Sequence, residues 1–574
     1  MRPIDLELND WLAERVAGMW PELGASADCA VRPTGDPRFG DYQSNVAMSL
    51  AKPLRRPPRA IAEAIVKDLP RHRAIERVEI AGPGFINLFL ASEWMLEAIR
   101  ALLARPEQRI APAARPERVL IDFSSPNVAK PMHIGHLRST ILGESLRRIL
   151  IALGHEVLGD NHLGDWGTQF GLLTVGYRRF LDGANYGADP VEELERVYVR
   201  AYEAAQADPG LMDEARRELV RLQQGDPRNR QLWQAFVQAS RGEFDRIYQR
   251  LNIHFDLVRG ESAYEEMLPG LIDELVARGL ARESDGALVV FFPGDKLPPL
   301  IVRKQDGGFN YATTDLATIK YRAEELRAER VIYVTDERQQ LHFRQVFEVA
   351  RQMGFTLPLE HVWFGLMRLP EGTFSTRQGN VIKLERLLDE AERRAAAVLD
   401  QTGAQFTEAE RREISRVVGL GAVKYADLAQ HRQTLVTFDW DRMLALDGNT
   451  APYLQYTYAR IRSIWRKHAE QGGAPMEAEA ALATPFEPGP EQDLAKALLR
   501  FSETVHRAGR SYRPNVIADY LFELGQLYNA LYQNLPVLRA EPPARARRLL
   551  LCEAVARTIR HGLDLLGIEV VERM

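Results

Sequence analysis

The sequence has few cysteines, no long apolar run and no large excess of either charge. Its two cysteines, Cys29 and Cys552, lie near opposite ends of the chain and lack metal-ligand spacing. This usage excludes a disulfide framework and argues against a protein-bound zinc site. No apolar run approaches the roughly 18 residues of a membrane span, and the acidic, amphipathic N-terminus is unlike a secretory signal. We therefore expect a cytoplasmic protein without zinc or membrane association.

Length and composition indicate several globular domains. The chain has 574 residues, of which 45% are apolar and 27% charged, and its net charge is −5. A chain of this length exceeds what one hydrophobic core supports. Basic residues cluster near both ends, which predicts either contact with a long polyanion or solvated helix faces. The two clusters are Lys52, Arg55, Arg56, Arg59, Lys67, Arg71 and Arg73, and Arg539, Arg545, Arg547, Arg548, Arg557 and Arg560.

Hydrophobic periodicity predicts an α/β domain between a small α+β unit and a helical tail. The run RVLIDFSS indicates a buried parallel strand. Apolar residues then recur at helical spacing up to Gly154, and HEVLGDN follows as a second strand, so the order is βαβ. The charged segment 190–250 predicts helices. From Leu384 onward the pattern is almost wholly helical, with a loop at 472–492.

The stretch SSPNVAKPMHIGHLRST, residues 124–140, joins that strand to that helix. Ligands of open α/β sheets bind beyond the carboxyl ends of the strands, where helix N-termini offer free N–H groups to anions. Gly135 allows close backbone approach, His133 and His136 can donate to phosphate oxygens, and Lys130 adds a mobile positive charge. These groups suit charge that develops on an attacked α-phosphate and on departing pyrophosphate. The spacing alone also permits two ordinary histidines at a helix N-terminus.

The His-Ile-Gly-His element and its flanks resemble the class I aminoacyl-tRNA synthetases, and within them the arginyl-tRNA synthetase family of bacterial type. Further stretches similar to that family follow in the same order along the chain. They are NHLGDWGTQFG (161–171), YATTDLA (311–317), RQQLHF (338–343), FSTRQGNVI (374–382), APYLQYTYARIRSI (451–464), RPNVIADYLFELGQLYNALYQNLPVL (513–538) and LGIEVVERM (566–574). The resemblance implies a Rossmann-type parallel-sheet catalytic domain, an N-terminal α+β domain and a C-terminal all-helical anticodon-binding domain.

The resemblance also implies where these domains lie and what they bind. An N-terminal domain at 1–110 would contact the tRNA elbow, and the catalytic domain would occupy 111–385 with a helical insertion at about 180–255. A helical connector at 386–444 would contact the tRNA stem, and residues 445–574 would bind the anticodon. We expect Tyr453 and Tyr456 to stack on bases and Arg460 and Arg462 to reach phosphates. Core packing is the alternative for these aromatic residues.

The implied activity is ATP-dependent ligation of L-arginine to its cognate tRNA through an arginyl-adenylate, with release of AMP and pyrophosphate. ATP would enter with Mg²⁺, and the enzyme would act as a monomer. A small nucleotidylyltransferase shares the two-histidine element but lacks the long helical tail. A second alternative, a catalytically inactive synthetase-like paralogue that binds tRNA, is favoured only by Gln378, which stands where the family's second signature loop has a lysine.

The resemblance implies that ATP contacts the two-histidine element and that second loop. The loop is the counterpart of the family's KMSKS sequence, and without its second lysine we expect Lys130 to supply the missing charge, helped by Arg377. The expected catalytic residues are Lys130, His133, His136 and Arg377. The expected ATP-binding residues are His133, Gly135, His136, Ser375, Thr376, Arg377, Gly379 and Asn380.

A guanidinium is planar, always charged and has five donors, so its pocket needs carboxylates and carbonyl-type acceptors. By resemblance we expect Asp315 to bind the guanidinium, Tyr311 to pack on it, and Asp122 and Asn127 to hold the α-amino end. Such a pocket rejects lysine without an editing site. For Asp315 the alternative is a helix cap. The full implied arginine-binding set is Asp122, Ser124, Asn127, His133, Tyr311, Asp315 and Gln339.

Overall fold

The computed structural model describes residues 2–23, 28–105, 110–295, 297–369, 372–373, 383–401, 405–473 and 478–574. These residues form two compact units. One comprises the chain up to Ala114 together with Ala445–Asp564 and Glu569–Met574, and the other comprises Arg115–Leu444 and Leu565–Ile568. Among the described residues, no helix is both long and apolar enough to cross a bilayer.

The N-terminal segment is an α+β unit, as its sequence predicts. Its sheet is antiparallel with the strand order β1-β2-β4-β3. The turn between β3 and β4 contains Gly82 and Gly84, whose φ angles of 51° and 140° suit glycine. The elements are α1 (Ile4–Met19), β1 (Arg32–Pro33), β2 (Tyr42–Ser44), α2 (Val46–Leu54), α3 (Pro58–Lys67), β3 (Ile75–Ala81), β4 (Phe85–Leu90) and α4 (Ser92–Ala104).

The second unit begins with the predicted βαβ order. In chain order its elements are β5 (Arg118–Asp122), α5 (Ile134–Ala152), β6 (Glu156–Asn161), α6 (Gln169–Phe180), α7 (Gly183–Ala188), α8 (Pro190–Ala207), α9 (Pro209–Gln223), α10 (Pro227–Arg250), β7 (Leu257–Val258), α11 (Leu268–Ala277), β8 (Ala281–Ser284), β9 (Ala287–Val290), β10 (Leu300–Arg303), α12 (Tyr311–Glu324), β11 (Arg330–Tyr333), α13 (Gln340–Gln352), β12 (Leu359–His361), β13 (Met367–Leu369), β14 (Gly372–Thr373), α14 (Leu384–Gln401), α15 (Glu408–Leu428), β15 (Val436–Thr437) and α16 (Trp440–Met443).

A five-stranded parallel sheet organises this unit, with the order β12-β11-β5-β6-β7. The register places Tyr333 of β11 beside Asp122 of β5, and Asp122 beside Asp160 of β6. The carboxyl ends of the three central strands therefore meet at one edge. The apolar interior of β5 and β11 is buried, as a parallel strand covered on both faces requires. The helices predicted for 190–250 are α8, α9 and α10.

The C-terminal part of the chain is helical, which confirms the prediction, but the loop predicted at 472–492 is only partly correct. A short helix, α18, interrupts it, and α19 already begins at Pro490, after Gly489 with a φ angle of 92°. Alanine has the highest helix propensity, and α18 has the sequence AEAA. The elements are α17 (Ala451–Glu470), α18 (Ala478–Ala481), α19 (Pro490–Leu499), α20 (Phe501–Ser511), α21 (Asn515–Asn534) and α22 (Pro542–Leu565).

Two members of the C-terminal basic cluster lie in the interior. Arg547 and Arg548 are buried and both donate from Nε to Glu491, at 2.6 Å in each case. Glu491 is fully buried. Neither sequence-based interpretation holds for these two arginines, because a carboxylate within the fold takes the place that a polyanion or water would have.

Residues Leu565–Ile568 belong to the second unit although they lie more than 100 residues beyond Leu444 in the sequence. The Ser145 hydroxyl of α5 donates to the carbonyl oxygen of Leu565 at 3.0 Å. The ammonium of Lys424, on α15, donates to the carbonyl oxygen of Gly567 at 2.6 Å. This short segment therefore completes the packing behind α5.

Candidate active site

Two histidines form a reciprocal cap at the start of α5. His133 is the N-cap residue, and its Nδ1 accepts from the backbone N–H of Gly135 at 3.0 Å. The Nδ1 of His136 accepts from the backbone N–H of His133 at 3.1 Å. The ring centroids lie 3.9 Å apart. Because Nδ1 is an acceptor in both rings, the proton of each neutral imidazole is on Nε2.

Both imidazoles are neutral at pH 7. Burial, followed by the positive charges of Lys130 and Arg338, lowers the pKa of His133 to about 4. Burial and the neighbouring His133 lower the pKa of His136 to about 3. The N-terminus of α5 therefore presents two neutral Nε2–H donors.

The packing of the His133 ring leaves no room for a side chain at Gly135. A Cβ atom at this position would lie 2.7 and 2.8 Å from two atoms of the His133 ring. A side chain would push the capping imidazole away from the helix end, so the cap depends on glycine here.

The loop between β5 and α5 contains three residues with left-handed backbone angles. The φ angles are 71° for Ser124, 50° for Ser125 and 62° for Ala129. Such conformations cost about 1 kcal/mol or more at each residue that is not glycine, and they cluster at functional sites. No periodicity or turn signal in the sequence predicts this strain.

Three side chains from distant segments hold the strained loop. The backbone N–H groups of Ser124, Ser125 and Ala129 each donate to one of these side chains, at 2.9, 3.1 and 2.8 Å respectively. The acceptors are Ser139 Oγ, Asn161 Oδ1 and Ser240 Oγ. No sequence pattern singles out these acceptors, because they lie up to 111 residues away from the N–H groups that donate to them.

The loop also abuts the Gly-rich turn after β6. Asn127 pairs with Gly164 in a short parallel bridge, and the N–H of Val128 donates to the carbonyl oxygen of Gly164 at 3.1 Å. A Cβ at Gly164 would lie 2.1 Å from Asn127 Oδ1. Asn127 is exposed, and its Oδ1 lies against Gly164.

Lys130 is exposed and lies between the histidine pair and α8. Its Nζ is 5.3 Å from the ring centroid of Tyr198, within the range of a cation–π contact. The positive charge of Lys130 lowers the pKa of His133 and opposes the burial that raises the pKa of Glu195. The predicted catalytic lysine therefore has the histidine pair on one side and α8 on the other.

Asp122 lies at the end of β5, but its carboxylate is already engaged. Its Oδ2 accepts from the buried Arg322 of α12 at 2.6 Å, and its Oδ1 accepts from Ser125 Oγ at 2.9 Å. The same nitrogen of Arg322 donates to Asp160 Oδ2 at 2.7 Å. Asp122 thus connects α12 to the strained loop. Arg322 lies 200 residues away in sequence, and no motif pointed to it.

The residues predicted to bind the guanidinium lie on the first turns of α12. Asp315 follows Tyr311 by four positions, so the two side chains share one helix face. Tyr311 is 73% exposed. The cap alternative for Asp315 is wrong, because Asn310 is the N-cap and its side chain accepts from the N–H of Tyr311 at 3.0 Å. Instead, Asp315 Oδ2 pairs with His342 Nε2 of α13.

Two further features border Asp315. Gln339 is exposed at the end of the short 3₁₀ helix Glu337–Gln339, directly before α13. Burial, followed by the negative charges of Asp315 and Asp165, raises the pKa of Glu261 to about 8. At pH 7 this carboxyl group is mostly protonated. The sequence analysis missed His342 and Glu261.

The predicted residues of the second signature loop, Ser375, Thr376, Arg377, Gly379 and Asn380, lie outside the described residues. The chain is described again from Lys383, which pairs with His133 in a short antiparallel bridge. The N–H of Leu384 donates to the carbonyl oxygen of Met132 at 2.9 Å. Lys383 and Leu384 therefore lie directly beside the histidine element.

The residues predicted to contact tRNA lie on α17 and are partly engaged within the protein. Tyr453 is buried, and its hydroxyl accepts from Asn529 at 2.7 Å, so its ring is not open to a base in this structure. Arg460 lies over the ring of Tyr456, at 4.6 Å from the ring centroid. Arg462 pairs with Glu553. Their roles in tRNA binding stay predictions.

Metal-ligand residues do not cluster in the part of the chain that the structure describes. No group of three or more histidine, cysteine, aspartate or glutamate side chains is arranged there to hold a metal ion. Cys29 and Cys552 are both buried free thiols.

Family models match three successive segments of the chain. The model described as tRNA synthetases class I (R), catalytic domain, matches residues 98–440. The arginyl tRNA synthetase N terminal domain matches 7–90, and the DALR anticodon binding domain matches 454–574. The chain belongs to the arginyl-tRNA synthetase family. The resemblance seen in the sequence and the fold expected from it are thus confirmed.

Individual members of the family are similar over their full length. The arginine–tRNA ligase of Fusobacterium nucleatum is 44% identical, with 100% of both chains covered. That of Synechococcus elongatus is 46% identical over 99% of both. Among solved structures, the arginyl-tRNA synthetase of Plasmodium falciparum matches with a TM-score of 0.85 at 27% identity, covering 100% of both chains. That of Thermus thermophilus matches with a TM-score of 0.82 at 27% identity, covering 99% of this chain and 100% of that one.

Proposed function

We propose that the protein ligates L-arginine to its cognate tRNA in two steps, with ATP bound as its Mg²⁺ complex. It would act in the cytoplasm as a monomer. The predicted domain roles belong to this proposal. Residues 1–110 would contact the tRNA elbow, and the catalytic domain would occupy residues 111–385. Residues 386–444 would contact the tRNA stem, and residues 445–574 would bind the anticodon.

One observation supports this function above the others. Two neutral imidazoles cap α5 with their Nδ1 atoms and keep their Nε2–H groups for a ligand, beside the ammonium of Lys130. A neutral donor pair and a mobile cation at a helix N-terminus suit the phosphates of ATP.

In the first step, the α-carboxylate of arginine attacks the α-phosphorus of ATP, and the bond to pyrophosphate breaks. Negative charge grows on the phosphorus oxygens and on the departing pyrophosphate. Donors from His133 and His136 and the charge of Lys130 bind this transition state more tightly than the ground state. In the second step, a hydroxyl at the 3′ end of the tRNA attacks the arginyl carbonyl carbon and AMP leaves.

Arginine selection would depend on Asp315. The half-buried carboxylate of Asp315 on the first turns of α12 would provide acceptors for the guanidinium fork, and the exposed ring of Tyr311 would pack over it. Because both oxygens of Asp122 are engaged by Arg322 and Ser125, we propose that Asp122 shapes the loop. Asn127 would then bind the α-amino end.

Arginine-dependent exchange of labelled pyrophosphate into ATP, measured with and without tRNA, tests the activity. Lys130→Ala should lower the exchange rate about 100-fold or more, because loss of one transition-state donor costs roughly 3 to 4 kcal/mol. Its affinity for tRNA should stay nearly normal. Lys320→Ala, which removes a lysine paired with Glu324 on α12, is the matched control.

Near-normal exchange in Lys130→Ala would remove this lysine from the mechanism. Tight tRNA binding by the unaltered protein without any exchange or charging would instead favour the inactive paralogue.

A further inference from the structure

The contact between His342 and Asp315 at the proposed arginine pocket has no role in the two reaction steps. His342, on the first turn of α13, reaches across to α12 and pairs through Nε2 with Oδ2 of Asp315. Both side chains are mostly buried, with exposed fractions of 28% for His342 and 21% for Asp315. Since an ionised carboxylate only accepts hydrogen bonds, Nε2 of His342 is the donor.

Asp315 has no other hydrogen-bonded partner among the contacts of its carboxylate that the structure describes. Glu261 lies near Asp315, but burial and nearby negative charge raise the pKa of its carboxyl group to about 8, so this neighbour is mostly uncharged at pH 7. Without the donor from His342, the Asp315 carboxylate would be free to rotate toward water. The contact with His342 occupies Oδ2 and leaves Oδ1 for a ligand.

We infer that His342 is a positioning residue for arginine selection, which holds the Asp315 carboxylate in the orientation that a guanidinium requires. The inference rests on the proposed role of Asp315. A guanidinium is a rigid planar fork, so its recognition depends on the direction of the acceptor as well as on its charge. The effect of His342 should therefore concern arginine and leave ATP untouched.

Substitutions at position 342 separate the donor from the bulk of the ring. His342→Leu removes the donor, whereas His342→Gln places an amide N–H near the position of Nε2. We expect His342→Leu to raise the KM for arginine about 10-fold or more, as losing a partner that orients a ligand-binding side chain commonly does. The KM for ATP should stay within about twofold, and His342→Gln should recover most of the arginine affinity.

A control and a double variant define how the residue acts. His361→Gln alters a nearby histidine that instead contacts Thr335, at 2.8 Å, and should leave the KM for arginine unchanged. Asp315→Asn should raise that KM by itself. If His342 acts through Asp315, adding His342→Leu to Asp315→Asn should cause little further loss.

The measured KM values distinguish failure of the proposed Asp315 pocket from failure of the role of His342. A normal KM for arginine in Asp315→Asn would overturn the proposed pocket. A raised KM in Asp315→Asn with a normal KM in His342→Leu would overturn only the role of His342, as would equal changes in the KM values for arginine and ATP. If thermal melting shows that His342→Leu does not fold, His342→Asn, whose amide is too short to reach Asp315, replaces it with the same expectation.

Discussion

At the scale of single residues, histidine solves a problem that the usual capping residues do not. Serine, threonine, aspartate and asparagine are the common N-caps, but an aspartate here would place a negative charge at the proposed phosphate site. A histidine accepts the backbone N–H through Nδ1 and still presents Nε2–H outward. His133 and His136 each combine the two roles.

The neutral state of this pair makes stability depend on pH. The pKa of His136 is about 3 in the folded protein and near 6.5 in an unfolded chain. Between these values the unfolded chain takes up a proton that the folded protein does not bind. The contribution of His136 to stability is therefore complete above about pH 6.5 and is lost as the pH falls toward 3.

His136→Asn should make stability less sensitive to acid. The asparagine Oδ1 can accept the backbone N–H as Nδ1 does, but it does not titrate. The melting temperature, followed from pH 7.5 to 4.5, should fall less steeply in the variant than in the unaltered protein. His254→Asn, at an exposed position, is the control, and parallel curves for all three proteins would contradict the argument.

The sequence predicts several candidate site residues because their chemistry is local. His133, His136 and Lys130 stand within one short stretch at a strand–helix junction, where the ligand-binding role of such junctions is general. The residues that orient Asp122 and Asp315 could not be predicted from the sequence. Arg322 meets Asp122 across 200 residues and His342 meets Asp315 across 27, and only the tertiary fold brings such pairs together.

At the scale of elements, the strained loop between β5 and α5 decides whether the site is formed. Its left-handed residues persist because Ser139, Asn161 and Ser240 accept its backbone N–H groups. The strand and the helix on either side were predictable from apolar periodicity. The loop was not, because its conformation depends on acceptors from other segments and not on its own residue types.

Crowding at this loop should impair the reaction without unfolding the protein. Gly164→Ala would bring a methyl group against Asn127 and displace the loop. We expect at least a 10-fold loss in kcat/KM for arginine, about 1.4 kcal/mol of transition-state binding. The measurement is pyrophosphate exchange with arginine varied.

Gly242→Ala is the matched substitution, since a Cβ there meets nothing within 4 Å and the residue lies within α10. Its activity should be normal. Equal activity in Gly164→Ala and Gly242→Ala would show that Asn127 and its loop tolerate displacement.

At the scale of the whole molecule, buried charge marks the interior of the unit that contains the chain ends. Glu491 accepts from Arg547 and Arg548, and all three side chains are buried. A basic cluster in a sequence does not show which of its residues are buried. Their burial depends on how the helices pack, and the sequence pattern does not specify that packing. The helical content of this region was predictable, whereas the placement of its charges was not.

Removing the charge of Glu491 should destabilise this unit. Glu491→Gln leaves the two buried arginines paired with the half-exposed Glu487 and without their buried counter-ion, which costs about 3 kcal/mol. Denaturant unfolding should show this loss, and hydrogen exchange should rise in α19 and α22 before it rises in α5. Glu408→Gln breaks an exposed pair with Arg412 at 3.8 Å, where we expect less than about 0.5 kcal/mol. Similar losses in the two variants would refute the assignment.

The return of Leu565–Ile568 to the second unit bears on how the chain folds during synthesis. Ser145 lies on α5, the helix that the two histidines cap. Its hydroxyl donates to the carbonyl oxygen of Leu565, which is synthesised 420 residues later. A ribosome that has released the whole parallel sheet has still not supplied this last partner, whereas domains generally fold in order as they emerge. The nascent enzyme therefore reaches its final catalytic packing only after residues 565–568 have left the ribosome.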